Sequence, residues 1–342
     1  MRFAFSREQL MFRDTARDLL HRHCPPAAVR AAWTEPSGRV PGLWSRLAEM
    51  GIVGLTAPEA HGGLGMNDLD LVLVLEEAGR AAAPEPLLET TAVAAPLLRD
   101  AGTPALRETW LPRIAAGEAV VAIGLLGAPH VAFAAEADLL LLHHGDELHA
   151  LERGAAELTP QPSVDGSRRL CSIAWTPGAA TRFAAGEEAR RLVARALDRG
   201  ALAAAAELLG LGRRMLDVTV EYALVRHQFG KPIGSFQAVK HHLANALVRL
   251  ELARPVVYRA AWSCAHDAAE TPLHVSMAKA QASEAALGAA RAALQCHGAI
   301  GYTVEHDLHL WMKRAWALAA AWGDAAFHRA RVGAAVLDRG AA

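Results

Sequence analysis

The C-terminal part of the chain constrains the fold most, because its apolar residues recur with the period of an α-helix almost without interruption. Runs of this length predict long helices that pack against one another through apolar faces. Abundant alanine and an aromatic content of only 6% suit close helix packing. The predicted helices cover residues 187–226, 235–266, 271–297 and 306–335. Pro255 is expected to kink the second helix, since proline removes a backbone donor.

The first third of the chain is also predicted to be helical. Ser6 is predicted to cap a helix over residues 5–24, with Gln9 completing a capping box. A second helix, around Trp44, is expected to end at Gly51. Further amphipathic helices are predicted over residues 68–80, 87–101 and 105–116.

A change of period marks a central β unit. Short apolar runs between turn signals predict strands there, and the unit is expected to end near residues 177–182. The predicted strands lie within residues 120–126, 137–143, 147–151 and 169–175. The sequence thus predicts a mainly α fold with a small central β unit. Its parts are an N-terminal α-helical domain (1–118), a β domain (119–185) and a C-terminal four-helix bundle (186–342).

Composition excludes several classes of function. With a net charge of −1, the chain has no basic balance that would point to nucleic acid or to an acidic membrane surface. Neither a signal peptide nor a membrane-spanning helix is predicted. The 4 cysteines are scattered without a CxxC pair, which favours reduced thiols and a cytoplasmic protein. The 16 histidines lack metal-ligand spacing, so no metal site is predicted and surface or packing roles are expected for them.

Three motifs together carry a family resemblance. The stretch RHQFGKPIGSFQAVKHHL, residues 226–243, turns between two helices and presents an arginine suited to a bidentate grip on phosphate. With the preceding YALV, it resembles the flavin-contacting segment of acyl-CoA dehydrogenases. Residues 295–305, QCHGAIGYTVE, are similar to that family's Q-x-x-G-G-x-G-Y-T-x-E. Residues 50–65 are similar to its L-G-x-x-G-L-x-x-P-E-x-x-G-G-x-G. The family has the same helix–β–helix plan.

The resemblance implies an FAD that is shared between subunits. In the family, the diphosphate and adenosine end of FAD reaches a neighbouring subunit, and the motifs present here belong to that neighbour's contribution. The implied cofactor-binding residues are Arg226, Phe229, Gln237, Gln295, Gly298 and Ala299. The first three are implied to face the diphosphate, the flavin edge and the adenosine side. The last three are implied to meet the diphosphate, and an alanine in place of the family's second glycine tightens one backbone contact.

The other half of the family's flavin site is missing. Residues 123–130 and 169–176 contain neither the L-T-E-P-x-x-G-S-D nor the W-I-T-N segment that contacts the flavin ring and the thioester. The catalytic base should be a carboxylate with a raised pKa, but its two family positions correspond to Trp322 and Gly200. Asp324 is the only nearby acid, and a two-residue shift on a helix turns its side chain by about 200°. The resemblance therefore implies no catalytic residue in this chain.

These observations predict a non-catalytic subunit of a heteromeric, FAD-dependent acyl-CoA dehydrogenase. A homologous catalytic partner would hold the flavin ring and the acyl-CoA, in a heterotetramer with two copies of each chain that passes electrons to a separate acceptor. By analogy with two-chain family members, a steroid side-chain CoA is the suggested substrate, and the reduced β domain fits this role. Two alternatives remain open. One is a self-sufficient homotetramer that uses Asp324 as its base, and the other is a flavin-free scaffold.

Overall fold

The computed structural model describes residues 4–337, and in this range helices precede and follow a central group of strands. The helices are α1 (Arg7–His23), α2 (Pro26–Ala32), α3 (Leu43–Glu49), α4 (Asp68–Ala81), α5 (Ala95–Ala101), α6 (Pro104–Ala115), α7 (Gly186–Val225), α8 (Gln237–Ala265), α9 (Thr271–His297), α10 (Leu308–Ala320) and α11 (Ala325–Leu337). The strands are β1 (Val121–Gly124), β2 (Leu139–His144), β3 (Glu147–Glu152), β4 (Glu157–Gln161), β5 (Leu170–Ala174), β6 (Arg182–Ala185), β7 (His227–Gln228) and β8 (Lys231–Pro232). The predicted fold class, mainly helical with a small β unit, is confirmed.

The start of the chain follows the prediction closely. The Ser6 hydroxyl accepts from the backbone N–H of Gln9 at 3.2 Å, and the Ser6 N–H donates to the Gln9 side chain at 2.9 Å, so the capping box is present. The short helix α2, which begins at Pro26, was not predicted. The predicted helix over residues 87–101 is divided into a buried π-helical segment, Leu87–Ala94, and α5.

The predicted single helix over residues 306–335 is wrong. The chain forms α10 and α11 instead, because three consecutive residues leave the helical conformation. Ala321 is extended, whereas Trp322 and Gly323 have φ of +58° and +87°. Helix α8, in contrast, continues through Pro255.

The central β unit contains more strands than were predicted. A four-stranded sheet has the order β1-β2-β3-β6, with β1 and β2 parallel and the other pairs antiparallel. Strands β4 and β5 form a separate antiparallel pair. Strands β4 and β6 were missed. Strand β4 contains Pro160 and exposes most of its side chains, so it lacks an alternating apolar pattern. Strand β6 begins at Arg182, where the unit was expected to end.

Residue contacts divide the chain into two compact units. One contains the described residues up to Arg30, Val72–Ala83 and the described residues from Ala201 onward. The other contains Ala31–Leu71 and Pro84–Gly200. The division of the chain at residues 118 and 185 stays a prediction.

Two glycines let α4 and α7 cross in backbone contact within the first unit. A Cβ on Gly79 would lie 2.0 Å from the carbonyl oxygen of Glu207, and a Cβ on Gly210 would lie 1.8 Å from the carbonyl oxygen of Glu76. Neither distance leaves room for a side chain. The main chains of the two helices therefore touch at these points.

The core of the second unit lies against its sheet. Ala122, Leu140 and Leu142 form a buried cluster with Cys171 of β5. Across residues 4–337, none of the helices is both long and apolar enough to cross a membrane.

Candidate functional site

A tight hairpin follows α7 and carries the first predicted motif. Strands β7 and β8 pair through the turn Phe229–Gly230, where both residues have positive φ, +53° and +78°. Positive φ at both central positions defines a type I′ turn, which suits a two-residue hairpin. The backbone N–H of Ile233 donates to the carbonyl of Arg226 at 2.8 Å and closes the hairpin onto the end of α7. Helix α8 then begins at Gln237.

The hairpin presents an aromatic ring at its tip and a cation at its base to solvent. Phe229 is 92% exposed although it occupies a strained left-handed conformation. A strained, exposed aromatic residue points to a functional constraint. The side chain of Arg226 is exposed, and it makes no ion pair with any residue in the described range. The hairpin therefore offers an uncompensated guanidinium and a free ring face.

The second predicted motif opens its backbone to solvent at the end of α9. Gly298 has φ of +64° and ψ of −140°, which only glycine adopts readily. No heavy atom lies within 4 Å of the place where its Cβ would be. Gln295 and Ala299 are also exposed. Residues Gly298–Tyr302 form a short 3₁₀ helix, and a ligand can approach its backbone closely at Gly298, beside the Gln295 amide.

A cluster of three rings joins the two motifs. The Tyr222 ring, one turn before Arg226, stacks on His297 with a centroid distance of 4.5 Å and an interplanar angle of 21°. His306 lies edge-on to both rings, 4.5 Å from His297 and 6.2 Å from Tyr222. The His297 Nδ1 bonds the carbonyl of Ala293 at 2.8 Å. Burial lowers the pKa of His297, and the nearby His306 lowers it further. This stack fixes the end of α7 against the end of α9. We use the name clamp for Arg226 and Phe229 of the hairpin, Gln237 of α8, and Gln295, Gly298 and Ala299.

A groove of about 530 Å³ lies beside the clamp, between α8 and α9. Polar side chains dominate its lining, and two of them are arginines. Its lining residues are His242, Asn245, Ala246, Arg249, Gly288, Arg291, Ala292 and Gln295. Gln295 therefore belongs both to the clamp and to the wall of this groove.

The break between α10 and α11 is held by a buried polar network. The Lys279 amine, which is fully buried, donates to the carbonyls of Ala319 at 3.0 Å and Gly323 at 2.9 Å. The buried ring of His328 makes a bond of 2.9 Å from its Nε2 to the Trp322 carbonyl. Burial lowers the pKa of Lys279 to about 7, partly offset by the charge of Asp324. Burial also lowers the pKa of His328 to about 4. The left-handed turn is thus fixed from two sides.

Asp324 caps the helix that follows this turn. Its carboxylate accepts from the backbone N–H of Phe327 at 2.8 Å in the first turn of α11. The expectation that Asp324 and Trp322 share one helix is wrong, because both residues precede α11. Gly200 is buried within α7.

Comparisons with known proteins agree along most of the chain. The family model described as the acyl-CoA dehydrogenase N-terminal domain matches residues 6–118, and that of the C-terminal domain matches residues 190–337. The chain is 38% identical to acyl-CoA dehydrogenase IpdE2 of Mycolicibacterium smegmatis, over 91% of this chain and 93% of that protein. The chain belongs to the acyl-CoA dehydrogenase family.

Solved structures of the family support the same assignment. The ChsE4-ChsE5 complex from Mycobacterium tuberculosis matches with a TM-score of 0.88 and 25% identity over 99% of both chains. A variant of the Tcur3481-Tcur3483 steroid ACAD matches with a TM-score of 0.87 and 26% identity, over 98% of this chain and 99% of that one. Butyryl-CoA dehydrogenase from Megasphaera elsdenii, at 22% identity, shares the fold with a TM-score of 0.88.

The structure places the clamp residues of both motifs in the first compact unit, on exposed segments joined by the ring cluster. Sequence reasoning missed the groove arginines and the network around Lys279. A lone lysine in an alanine-rich helix was the only signal for that network. Among residues 4–337, no group of three or more His, Cys, Asp or Glu side chains is arranged to hold a metal ion.

Proposed function

We propose that this chain is a subunit of a heteromeric, FAD-dependent acyl-CoA dehydrogenase. It lends the diphosphate and adenosine contacts of FAD to a homologous catalytic partner and supplies no base of its own. Two copies of each chain form the assembly. The partner holds most of the acyl-CoA substrate, and electrons pass to a separate acceptor.

The observation that carries this proposal is the fixed turn at Trp322. At the family position of the base, an indole replaces the carboxylate, and an indole cannot take a proton from an acyl-CoA. The backbone there is left-handed and tied to Lys279 and His328, so a neighbouring acid is not free to swing into the position. Asp324 is committed to capping α11. The other family position is Gly200, which has no side chain.

The clamp residues fit the cofactor that the family implies. Arg226 offers paired N–H donors without a competing acid, and Gly298 exposes backbone to a diphosphate. Gln237 supplies an amide for the adenosine side, Gln295 supplies one for the diphosphate, and Phe229 supplies a ring face for a flavin edge. When bound, FAD supplies the acceptor for a hydride from the β-carbon of the thioester. This chain's residues would hold and orient it.

Exposed apolar side chains around the clamp favour a partner chain. Leu224 and Val225 at the end of α7 are 65% and 71% exposed. Tyr302 and Val304, which follow the second motif, are 78% and 60% exposed. Apolar side chains clustered beside a polar site are typical of a protein–protein interface. A cofactor shared between two chains accounts for both the polar clamp and the exposed apolar side chains around it.

The substrate proposal rests on the solved relatives. One is described as a complex of two chains and another as a steroid dehydrogenase with two named components. We extend this by analogy to a steroid side-chain CoA thioester as the substrate of the assembly.

Flavin counting tests the proposal. The chain purified alone is expected to be colourless and inactive. Co-expression with the homologous dehydrogenases of its own genome is expected to yield a yellow complex with one FAD for each pair of unlike chains. An active, yellow product of this chain alone would contradict the proposal, and loss of that activity in Asp324→Asn would identify the self-sufficient homotetramer.

The clamp is tested by Arg226→Ala in the complex. Loss of the diphosphate contact is expected to weaken FAD binding by at least about tenfold, since hydrogen bonds to charged groups contribute about 1.5–3 kcal/mol. Arg191→Ala, an exposed arginine at the other end of α7, is the matched control and should leave the flavin content unchanged. Unchanged flavin in both variants would favour the flavin-free scaffold.

A further inference from the structure

The groove between α8 and α9 is built from matching faces of two helices. Its lining residues recur at positions i, i+3, i+4 and i+7 on each helix, which places them on one side. A Cβ on Gly288 would lie 3.7 Å from the Cδ of Arg249, so the aliphatic stem of Arg249 lies across α9. Arg291 precedes Gln295 by one helical turn on the same face. The guanidinium groups of Arg249 and Arg291 therefore line the same groove.

The groove contains no carboxylate to balance these arginines. Helices α8 and α9 carry one acid each, Glu251 and Glu284. Glu251 pairs with Arg254 at 2.6 Å, and Glu284 pairs with Arg329. Neither Arg249 nor Arg291 makes an ion pair within residues 4–337, and both are exposed. The groove is thus positively charged and uncompensated.

Apolar residues beside the groove indicate a macromolecular occupant. Val248 and Leu252, next to Arg249 along α8, are 55% and 66% exposed. A small anion in the groove would leave these side chains in water, whereas a docked chain would cover them. Protein interfaces combine apolar contacts with complementary charges.

We propose that this groove receives a carboxylate-bearing segment of the catalytic partner chain. The proposal rests on the proposed function and identifies the surface that makes the assembly heteromeric. In a symmetric contact between two copies of this chain, the groove of one copy would face the same groove of the other. Four guanidinium groups would then lie close together. Repulsion between the arginines suppresses that symmetric contact, whereas Asp or Glu side chains of a partner chain would form ion pairs with them. The two arginines thus select an unlike chain.

Charge reversal in the co-expressed complex tests this inference. Arg249→Glu with Arg291→Glu is expected to weaken association by at least about a hundredfold, because it opposes acid with acid in a desolvated contact. Arg249→Gln with Arg291→Gln is expected to weaken it less and to flatten its salt dependence. Arg191→Glu, outside the groove, is the control for added negative charge. Melting temperatures of the isolated chains verify that each variant folds.

The outcomes separate this inference from the proposed function. A complex that forms and keeps its FAD, with equal affinity for the wild type and the double Glu variant, overturns the groove assignment alone. Self-association of the wild-type chain that the double Glu variant abolishes would place a like-with-like contact at the groove and overturn the assignment as well. A wild-type chain that pairs with no dehydrogenase homologue of its own genome overturns both proposals. Loss of the complex only in the groove variants supports both.

Discussion

Replacing Lys279 with methionine should remove a large pH dependence from the stability of this protein. In the folded chain, burial lowers the pKa of the amine from 10.5 to about 7. In the unfolded chain it returns to its ordinary value. Between about pH 7 and pH 10.5 the unfolded state binds more protons than the folded state, so the free energy of unfolding rises with pH.

The size of the effect follows from the two pKa values. Raising the pH from 7 to 9 should stabilise the wild type by about 2 kcal/mol through this amine. The reason is that protonation of Lys279 favours the unfolded state, and this advantage becomes smaller as the pH rises. Lys279→Met lacks this contribution. At pH 9 the variant is expected to be less stable by about 1–3 kcal/mol, since the carbonyls of Ala319 and Gly323 lose their buried donor.

Urea unfolding followed by circular dichroism at pH 7 and pH 9 measures both quantities. Lys240→Met, at an exposed lysine of α8, controls for the loss of a lysine from the surface and should show the wild-type rise. An equal rise between the two pH values in the wild type and in Lys279→Met would refute the reasoning. It would mean that the amine keeps its ordinary protonation in the folded chain.

Three further substitutions test the turn at Trp322, the backbone at Gly298 and the ring cluster. His328→Gln should remove an acid sensitivity: the folded pKa is about 4 and the ordinary one 6.5, so the wild type should lose about 2 kcal/mol between pH 7 and pH 5, measured by urea unfolding. Gly298→Ala should cost about 1–3 kcal/mol through its left-handed backbone and reduce flavin content in the complex, whereas Gly333→Ala, in open space on α11, should be neutral or stabilising. Tyr222→Leu should lose about 0.5–1.5 kcal/mol of stacking with His297 and lower FAD retention, measured by melting temperature and by flavin absorbance.

The long helices could be predicted because their signal is local and repeated. Helix α9 was placed at 271–297, and α7 and α8 within two residues of their ends, from apolar period and turn residues alone. The clamp could also be proposed from motifs, since its residues lie in two short segments. Both predictions depend on information that is close together in the chain, and the role of the clamp stays a prediction.

The features that the sequence did not predict depend on residues that are far apart in the chain. The break at Trp322 was missed because tryptophan is compatible with a helix, and what holds its left-handed conformation is a pair of side chains, Lys279 and His328, that come from other positions. The groove was missed for the same reason. Arg249 and Arg291 are 42 residues apart, 291 minus 249, and only the packing of α8 on α9 makes them neighbours.

The glycine crossing of α4 and α7 limits how a chain of this kind can diverge. On other faces, side chains can be exchanged while the main chain stays in place. At Gly79 and Gly210 the smallest possible addition, one methyl group, would have to displace a whole helix. A substitution at either position should therefore cost far more stability than one on an exposed face of the same two helices.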